Sequence, residues 1–353
     1  MNFDFGTFLV LLTTEPMMTL VVILNLVIIV VNGATDAPNA ISTVVSTRSM
    51  KPRQAILMAA SMNFVGLIVI SLFNTAVADT IFNMVDFGGD THTALVAVLA
   101  AMVAIIVWGV AAWWFGLPAS QSHSLIAGLT GAAIALQGGI AGVNGAEWAK
   151  VIYGILLSTF MGFGLGWLGS KAIQNGLTGI NRRNADRNFR YAQIGTSAAA
   201  AFMHGAQDGQ KFLSILMLAI ALSLGMDVGG SADLSSMPIW LMLMVAIFMG
   251  SGTAIGGERI IKNVGMNITK LEPYQGCVAS ASSVLCLMTA TFTGMPVSTT
   301  HANTTAIMGV GAARRARAVK WSLAGDMVLT WIFTFPCCGF MGWLFAELFF
   351  MIL

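Results

Sequence analysis

Of 353 residues, 57% are hydrophobic and only 9% charged, the net charge is +2 and the mean hydropathy is +0.82. A soluble protein carries roughly 25% charged residues, so this chain cannot cover a water-exposed surface and reads as a membrane protein. The dispersed basic residues exclude a nucleic-acid binder, and Cys277, Cys286, Cys337 and Cys338, set in apolar stretches without ligand spacing, read as small buried hydrophobes rather than a disulfide scaffold.

The chain opens MNFDFG, which lacks a basic n-region, so no cleavable leader is expected. At about 20 residues per crossing, the apolar stretches divide into ten predicted passes. The first five cover residues 17–47, 54–78, 93–115, 118–137 and 148–170. After a basic segment the second five cover 191–225, 238–256, 275–293, 296–313 and 320–344.

Charge placement orients them. Fifteen of the 17 Lys and Arg residues fall in four stretches: Arg48 to Arg53, Lys171 to Arg190, Arg259 to Lys270, and Arg314 to Lys320. By the positive-inside rule these are cytoplasmic. Segments bearing Asp4 and Glu15, Asp79 to Asp90, and Asp227 with Asp233 lack basic residues and are expected outside, as are both chain termini. Two halves of five passes, 1–170 and 191–353, joined by a basic linker at 171–190, must then run in opposite orientations, an arrangement of many secondary transporters.

An internal repeat supports the halves independently. Asn32-Gly33-Ala34-Thr35-Asp36 is echoed in the second half by His204-Gly205-Ala206-Gln207-Asp208. Pro118-Ala119-Ser120-Gln121-Ser122-His123 is echoed, in the same order along the chain, by Pro296-Val297-Ser298-Thr299-Thr300-His301. Two ordered pairs in oppositely oriented halves indicate an inverted duplication. The expected fold is an all-α polytopic membrane protein of two inverted-topology repeats with broken helices and re-entrant, hairpin-like segments.

Both Asp motifs lie in passes too long for one straight crossing. Gly33 and Pro38 flank Asp36, and Gly205 and Gly209 flank Asp208, so a helix break is predicted at each. Broken backbone at membrane depth survives only where it lines a cavity or protein interior. The Pro-x-Ser motifs read as helix starts capped by hydroxyls, and a helix N-terminus ringed by hydroxyls suits a tetrahedral oxyanion. Asp36, Asp208, Asp326 and Lys211 are the ionisable residues expected deep in apolar passes, at about 2.5–3.5 kcal/mol each on insertion scales. The repeat singles out Asp36 and Asp208. His123 and His301 are candidate proton carriers or caps. Two carboxylates repel an anion unless cations or protons lie between them, which couples ion to substrate. Lys211 offers a fixed charge where its counterpart Asn39 offers only an amide.

These motifs resemble those of the inorganic phosphate transporter (Pit) family, whose signature is approximately Gly-Ala-Asn-Asp-x-x-Asn-Ala in each half with Pro-x-Ser-x-Thr/Ser-His downstream. The resemblance runs from about Leu20 to Leu344, and only the four motifs are specific. It implies a cation-coupled symporter working by alternating access in the cell membrane, not an enzyme and without a resident cofactor. Ser120, Gln121, Ser122, Ser298, Thr299 and Thr300 would hold phosphate, and Asp36, Asn39 and Asp208 the coupling cations. Thr35 and Gln207 replace the first Asn of each signature, Gln121 replaces a hydroxyl residue, and Lys211 stands at the second-half Asn position. The Lys form resembles proton-coupled, low-affinity bacterial members: a lysine there would displace one sodium ion, which favours proton over sodium coupling. Metal-complexed phosphate is an alternative cargo, and a homo-oligomeric state is left open.

A sulfate permease of the same family is the chief rival. Phosphate donates a hydrogen bond that sulfate lacks, so Asp in both halves favours phosphate. An intramembrane hydrolase needs one asymmetric nucleophile and base, which a duplication does not supply. An anion channel needs a pore lined along its length, whereas here the ionisable groups gather at two motifs.

Overall fold

The computed structural model describes residues 4–88, 90–115, 119–177, 181–226, 234, 237–255, 261 and 268–353. Among these the chain forms helices and no strand. The first half holds α1 (Phe5–Thr14), α2 (Pro16–Thr35), α3 (Ala37–Ser46), α4 (Pro52–Phe73), α5 (Ala76–Phe82), α6 (Thr91–Phe115), α7 (Gln121–Gln137) and α8 (Gly145–Gly176). The second holds α9 (Arg182–Ser223), α10 (Ile239–Ile255), α11 (Pro273–Phe292), α12 (Thr299–Arg314) and α13 (Trp321–Ile352). Pro118, Asp227, Asp233, Arg259 and Lys262 lie outside the described residues.

Local chemistry sets most of the boundaries. Proline opens α2, α4 and α11, where its missing N–H costs nothing. Side chains of Ser120, Asn144, Asn181 and Ser298 accept N–H bonds at the starts of α7, α8, α9 and α12. Gly138, at φ 64°, closes α7 in the left-handed conformation that glycine adopts without penalty. The short α1, capped by Asp4, precedes the first of the predicted passes.

Among the described residues six helical stretches are long and apolar enough to cross a bilayer: Pro16–Ser46, Pro52–Phe73, Thr91–Ala112, Gly145–Gly176, Pro273–Phe292 and Trp321–Ile352. That makes the chain a multi-pass membrane protein. The other four expected passes fall on α7, α10 and α12, with 16 or 17 described residues each, and on α9, which carries the polar motif. The basic linker is also mostly helix, since α8 runs to Gly176 and α9 begins at Arg182.

The two Asp motifs differ. At Asp36 the helix is interrupted, as predicted: α2 ends at Thr35, and the Asn39 N–H bonds the Asp36 carbonyl at 3.0 Å in a tightened turn. Around Asp208 the predicted break is absent, and α9 runs unbroken for 42 residues, about 63 Å at 1.5 Å per residue. The glycines there serve packing. A Cβ on Gly205 would stand 2.2 Å from the Asn63 carbonyl oxygen, and one on Gly209 would stand 2.7 Å from Leu67, both on α4. With no proline between 182 and 223, the hydrogen-bond ladder continues.

Close helix contacts recur in related pairs. A Cβ on Gly66 of α4 would meet the Phe202 carbonyl oxygen of α9 at 1.9 Å, and one on Gly252 of α10 would meet that of Val30 of α2 at 2.2 Å. Phe202 follows Val30 at the same spacing as Asp208 follows Asp36, and Gly252 follows Gly66 at the same spacing as Met249 follows Asn63. That alignment also relates Gly33 against Met249 (2.4 Å) to Gly205 against Asn63. A second set pairs Gly131 with Gly339 (1.9 Å) and Gly309 with Phe163 (2.1 Å), joining α7 to α13 and α12 to α8. In each pair one helix comes from each half. Small residues allow this approach, which replaces the missing hydrophobic drive between helices in lipid.

Candidate functional site

The interrupted α2–α3 segment, the middle of α9 and the first turns of α7 and α12 converge at the centre. Their polar side chains are almost wholly buried: Asp36 and Asn39 are 4% exposed, Ser122 2%, and Asp208 and Lys211 0%. Burial on this scale demands partners. Lys211 Nζ donates to Asp208 Oδ1 at 2.7 Å, to Ser122 Oγ at 2.8 Å and to the Val297 carbonyl at 2.5 Å. Asp208 also accepts from Ser122 Oγ at 3.3 Å, Thr299 Oγ1 at 3.4 Å and Asn32 Nδ2 at 3.2 Å, and His204 Nε2 stands 3.3 Å away. Asn32 Nδ2 reaches Asp36 Oδ2 as well, at 3.4 Å, so one amide bridges both carboxylates.

Asp208 is therefore neutralised by a buried lysine. Asp36 is not: among the described residues no Lys, Arg or His nitrogen forms an ion pair with it. Beside Asp36 lies a cavity of about 10 Å³, lined also by Asn39, His204, Ser283, Thr299 and Asn303. That is room for one water-sized group. Among the described residues the buried Oδ1 atoms of Asn39 and Asn303 have no hydrogen-bond partner. Carbonyl-type oxygens next to a carboxylate are the donor set of a hard cation, and they also accept from protonated groups.

Residues that occupy matching places in the two sequence motifs make matching side-chain contacts. Lys211 bonds Ser122, and its counterpart Asn39 donates through Nδ2 to Thr300 Oγ1, the counterpart of Ser122, at 2.9 Å. Ser120 and Ser298 act as N-caps, accepting from the backbone N–H of His123 and His301 at 3.4 and 3.3 Å. A hydroxyl that accepts such a bond keeps its own O–H to donate. The ends of α7 and α12 thus bring two sets of amide dipoles and hydroxyls together, which suits an anion.

Several expectations change. Neither histidine side chain caps a helix; the two rings meet edge to face with centroids 4.4 Å apart, and His301 stacks on Trp331 at 3.5 Å. Their four ring nitrogens have no hydrogen-bond partner among the described residues. The Gln121 amide lies over Gly109 of α6, turned toward that helix. Asp326 is exposed near the start of α13, shortly after Lys320, and does not join the central cluster. Sequence reasoning missed Asn32, His204 and Asn303 as site residues. Asn32 and His204 each stand one helical turn before an Asp, and Asn303 one turn after Thr299, the spacing that shares a helix face.

A profile described as the phosphate transporter family matches residues 32–183 and 175–342. A probable low-affinity inorganic phosphate transporter of Bacillus subtilis (strain 168) is 37% identical, over 92% of this chain and 94% of its own. One of the same description from Rhizobium meliloti (strain 1021) is 35% identical over 87% and 89%. Among solved structures, "The sodium-dependent phosphate transporter" superposes with a TM-score of 0.83 at 22% identity, covering 96% of this chain and all of that one.

Proposed function

Because the chain belongs to the phosphate transporter family, a family of permeases rather than enzymes, we propose that it carries inorganic phosphate by cation-coupled symport with alternating access. The observation that carries this reading is the meeting of two capped helix starts, with Ser122, Thr299 and Thr300, around the buried Asp208–Lys211 pair. In this reading those hydroxyls, with Ser120 and Ser298, take the phosphate oxygens, and the Lys211 ammonium supplies the fixed positive charge. Gln121 contributes through its backbone, at the start of α7. Phosphate near neutral pH still holds a proton to donate, and Asp36 is an acceptor that forms no ion pair among the described residues, which favours phosphate over sulfate.

Lys211 fills the place that Asn39 leaves open in the other half, so the variable charge falls to Asp36. A proton taken up there makes the centre attractive to an anion, and its release expels the anion. The proton is the coupling ion in this reading. The unpartnered Asn39 and Asn303 oxygens beside Asp36 favour a second reading, in which one sodium ion binds there. The matched glycine contacts support two inverted repeats, 1–170 and 191–353, rocking about the site. The turn after α3, with Arg48, and the basic start of α9 face the cytoplasm in this scheme, by the positive-inside rule. Free phosphate is the cargo, with a divalent-metal complex as the form to compare.

Phosphate uptake into proteoliposomes under a proton gradient and a sodium gradient, imposed separately, tests the proposal. Uptake driven by the proton gradient alone supports it. Uptake driven only by sodium selects the second reading, and saturable sulfate uptake without phosphate uptake overturns the substrate.

A further inference from the structure

The central cavity is walled by Ala40 of α3, Ala200 of α9 and Ser283 of α11. Nearly one helical turn from each, toward the end bearing Arg48 and Arg190, stand Thr43, Ser197 and Ser280. These hydroxyls form the next layer outward on all three helices. They bond one another: Thr43 to Ser280 at 2.8 Å, Ser197 to Ser280 at 3.3 Å and Thr43 to Ser197 at 3.5 Å, all fully buried. A further turn out, Gln193 Oε1 accepts from Thr47 and Ser49 at 2.8 Å each, while its buried, unpartnered Nε2 lies over Gly276 of α11. At the surface Arg190 donates to the Arg48 carbonyl at 2.9 Å.

The opposite end is closed by different chemistry. The spacing that relates Asp36 to Asp208 carries Thr43, Thr47 and Gln193 onto Ile215, Ala219 and Val21, all buried in the largest apolar cluster, and Ser197 onto a single polar residue, Asn25, whose amide donates to the Phe212 carbonyl at 3.1 Å. Parting that plug exposes hydrocarbon. Parting the hydroxyl layer exchanges hydrogen bonds between side chains for bonds to water or an oxyanion, which is close to neutral. Moreover α3 belongs to the first half, and α9 and α11 to the second, so the layer lies between the units that alternating access would separate.

We infer that Thr43, Ser197, Ser280 and Gln193 form the gate on the basic side, opened when the halves part, its hydroxyls passing their hydrogen bonds to the moving anion. The inference rests on the transport reading above. The arginines at its mouth concentrate anions there.

The test uses Thr43→Cys with Ser280→Cys in a variant whose four native cysteines are replaced by alanine. Oxidation should join the two positions and cut phosphate uptake by about tenfold or more, and dithiothreitol should restore it. Uptake at equal rates with and without the disulfide overturns the gate, as does failure of these directly contacting positions to form a disulfide. A separate variant, Ser197→Cys, should react with a membrane-impermeant thiosulfonate from the same side as Arg187→Cys. Labelling from the other side only, or no labelling at all, overturns the assignment whether or not the double variant transports. A cysteine-free parent that folds but takes up no phosphate would instead count against the transport reading.

Discussion

Lys211 donates to Ser122 across the interface between the halves at 2.8 Å, and Asn39 donates to Thr300 at 2.9 Å in the related place. One fold position thus carries a permanent charge in one half and a neutral amide in the other. In the proposed scheme the asymmetry divides the work of the two carboxylates: Asp208 is held by its lysine, and the exchange of a cation is assigned to Asp36.

Replacing Lys211 tests that division. Lys211→Met leaves Asp208 buried without its counter-charge and should cost roughly 3–5 kcal/mol of stability, read as a lower unfolding temperature in detergent. Lys211→Asn reproduces the amide of the other half and should make phosphate uptake depend on sodium. Proton-driven uptake in Lys211→Asn equal to that of the parent would remove Lys211 from the coupling scheme.

The two aspartates should separate in the same assays. Asp36→Asn removes a carboxylate that forms no ion pair among the described residues, so the folded yield should hold while coupled uptake is lost. Asp208→Asn strands the Lys211 ammonium and should lower stability by about 3 kcal/mol or more as well as abolishing uptake. Equal stability losses in the two variants would contradict this assignment.

Capping and binding hydroxyls lie in the same motifs but should behave differently. Ser120→Ala and Ser298→Ala remove N-caps and should each cost about 1 kcal/mol. Ser122→Ala removes no cap but takes away a Lys211 partner, so it should raise the KM for phosphate several-fold with a smaller change in unfolding temperature. The comparison of KM with thermal shift across the three variants is the measurement.

The glycine contacts predict matched sensitivity in the two halves. Gly66→Ala and Gly252→Ala each push a methyl into a carbonyl of the facing helix and should each destabilise by about 1–3 kcal/mol. Gly164→Ala meets nothing within 4 Å and should be neutral or raise stability by up to about 1 kcal/mol. Thermal unfolding of the three proteins distinguishes packing glycines from tolerated ones.

Membrane character, the helix starts at Ser120 and Ser298, the interruption at Asp36 and the relation between Asp36 and Asp208 were all legible in the sequence, because hydropathy, proline, capping hydroxyls and repeats act locally or leave a linear trace. The glycines around Asp208 could not be read the same way: a glycine that breaks a helix and one that admits a neighbouring helix look alike until the neighbour, here Asn63 and Leu67 of α4, is in place. Asp326 reads as lying deep in an apolar pass because apolar residues surround it in sequence, whereas the packed helix leaves its side chain exposed and outside the central cluster. The bridge made by Asn32, the bond from Asn303 Nδ2 to the Asn39 carbonyl, and the hydroxyl layer from Thr43 to Ser280 join residues up to 264 positions apart. Such contacts exist only once the helices pack, since burial, rather than spacing along the chain, forces each polar group to find its partner.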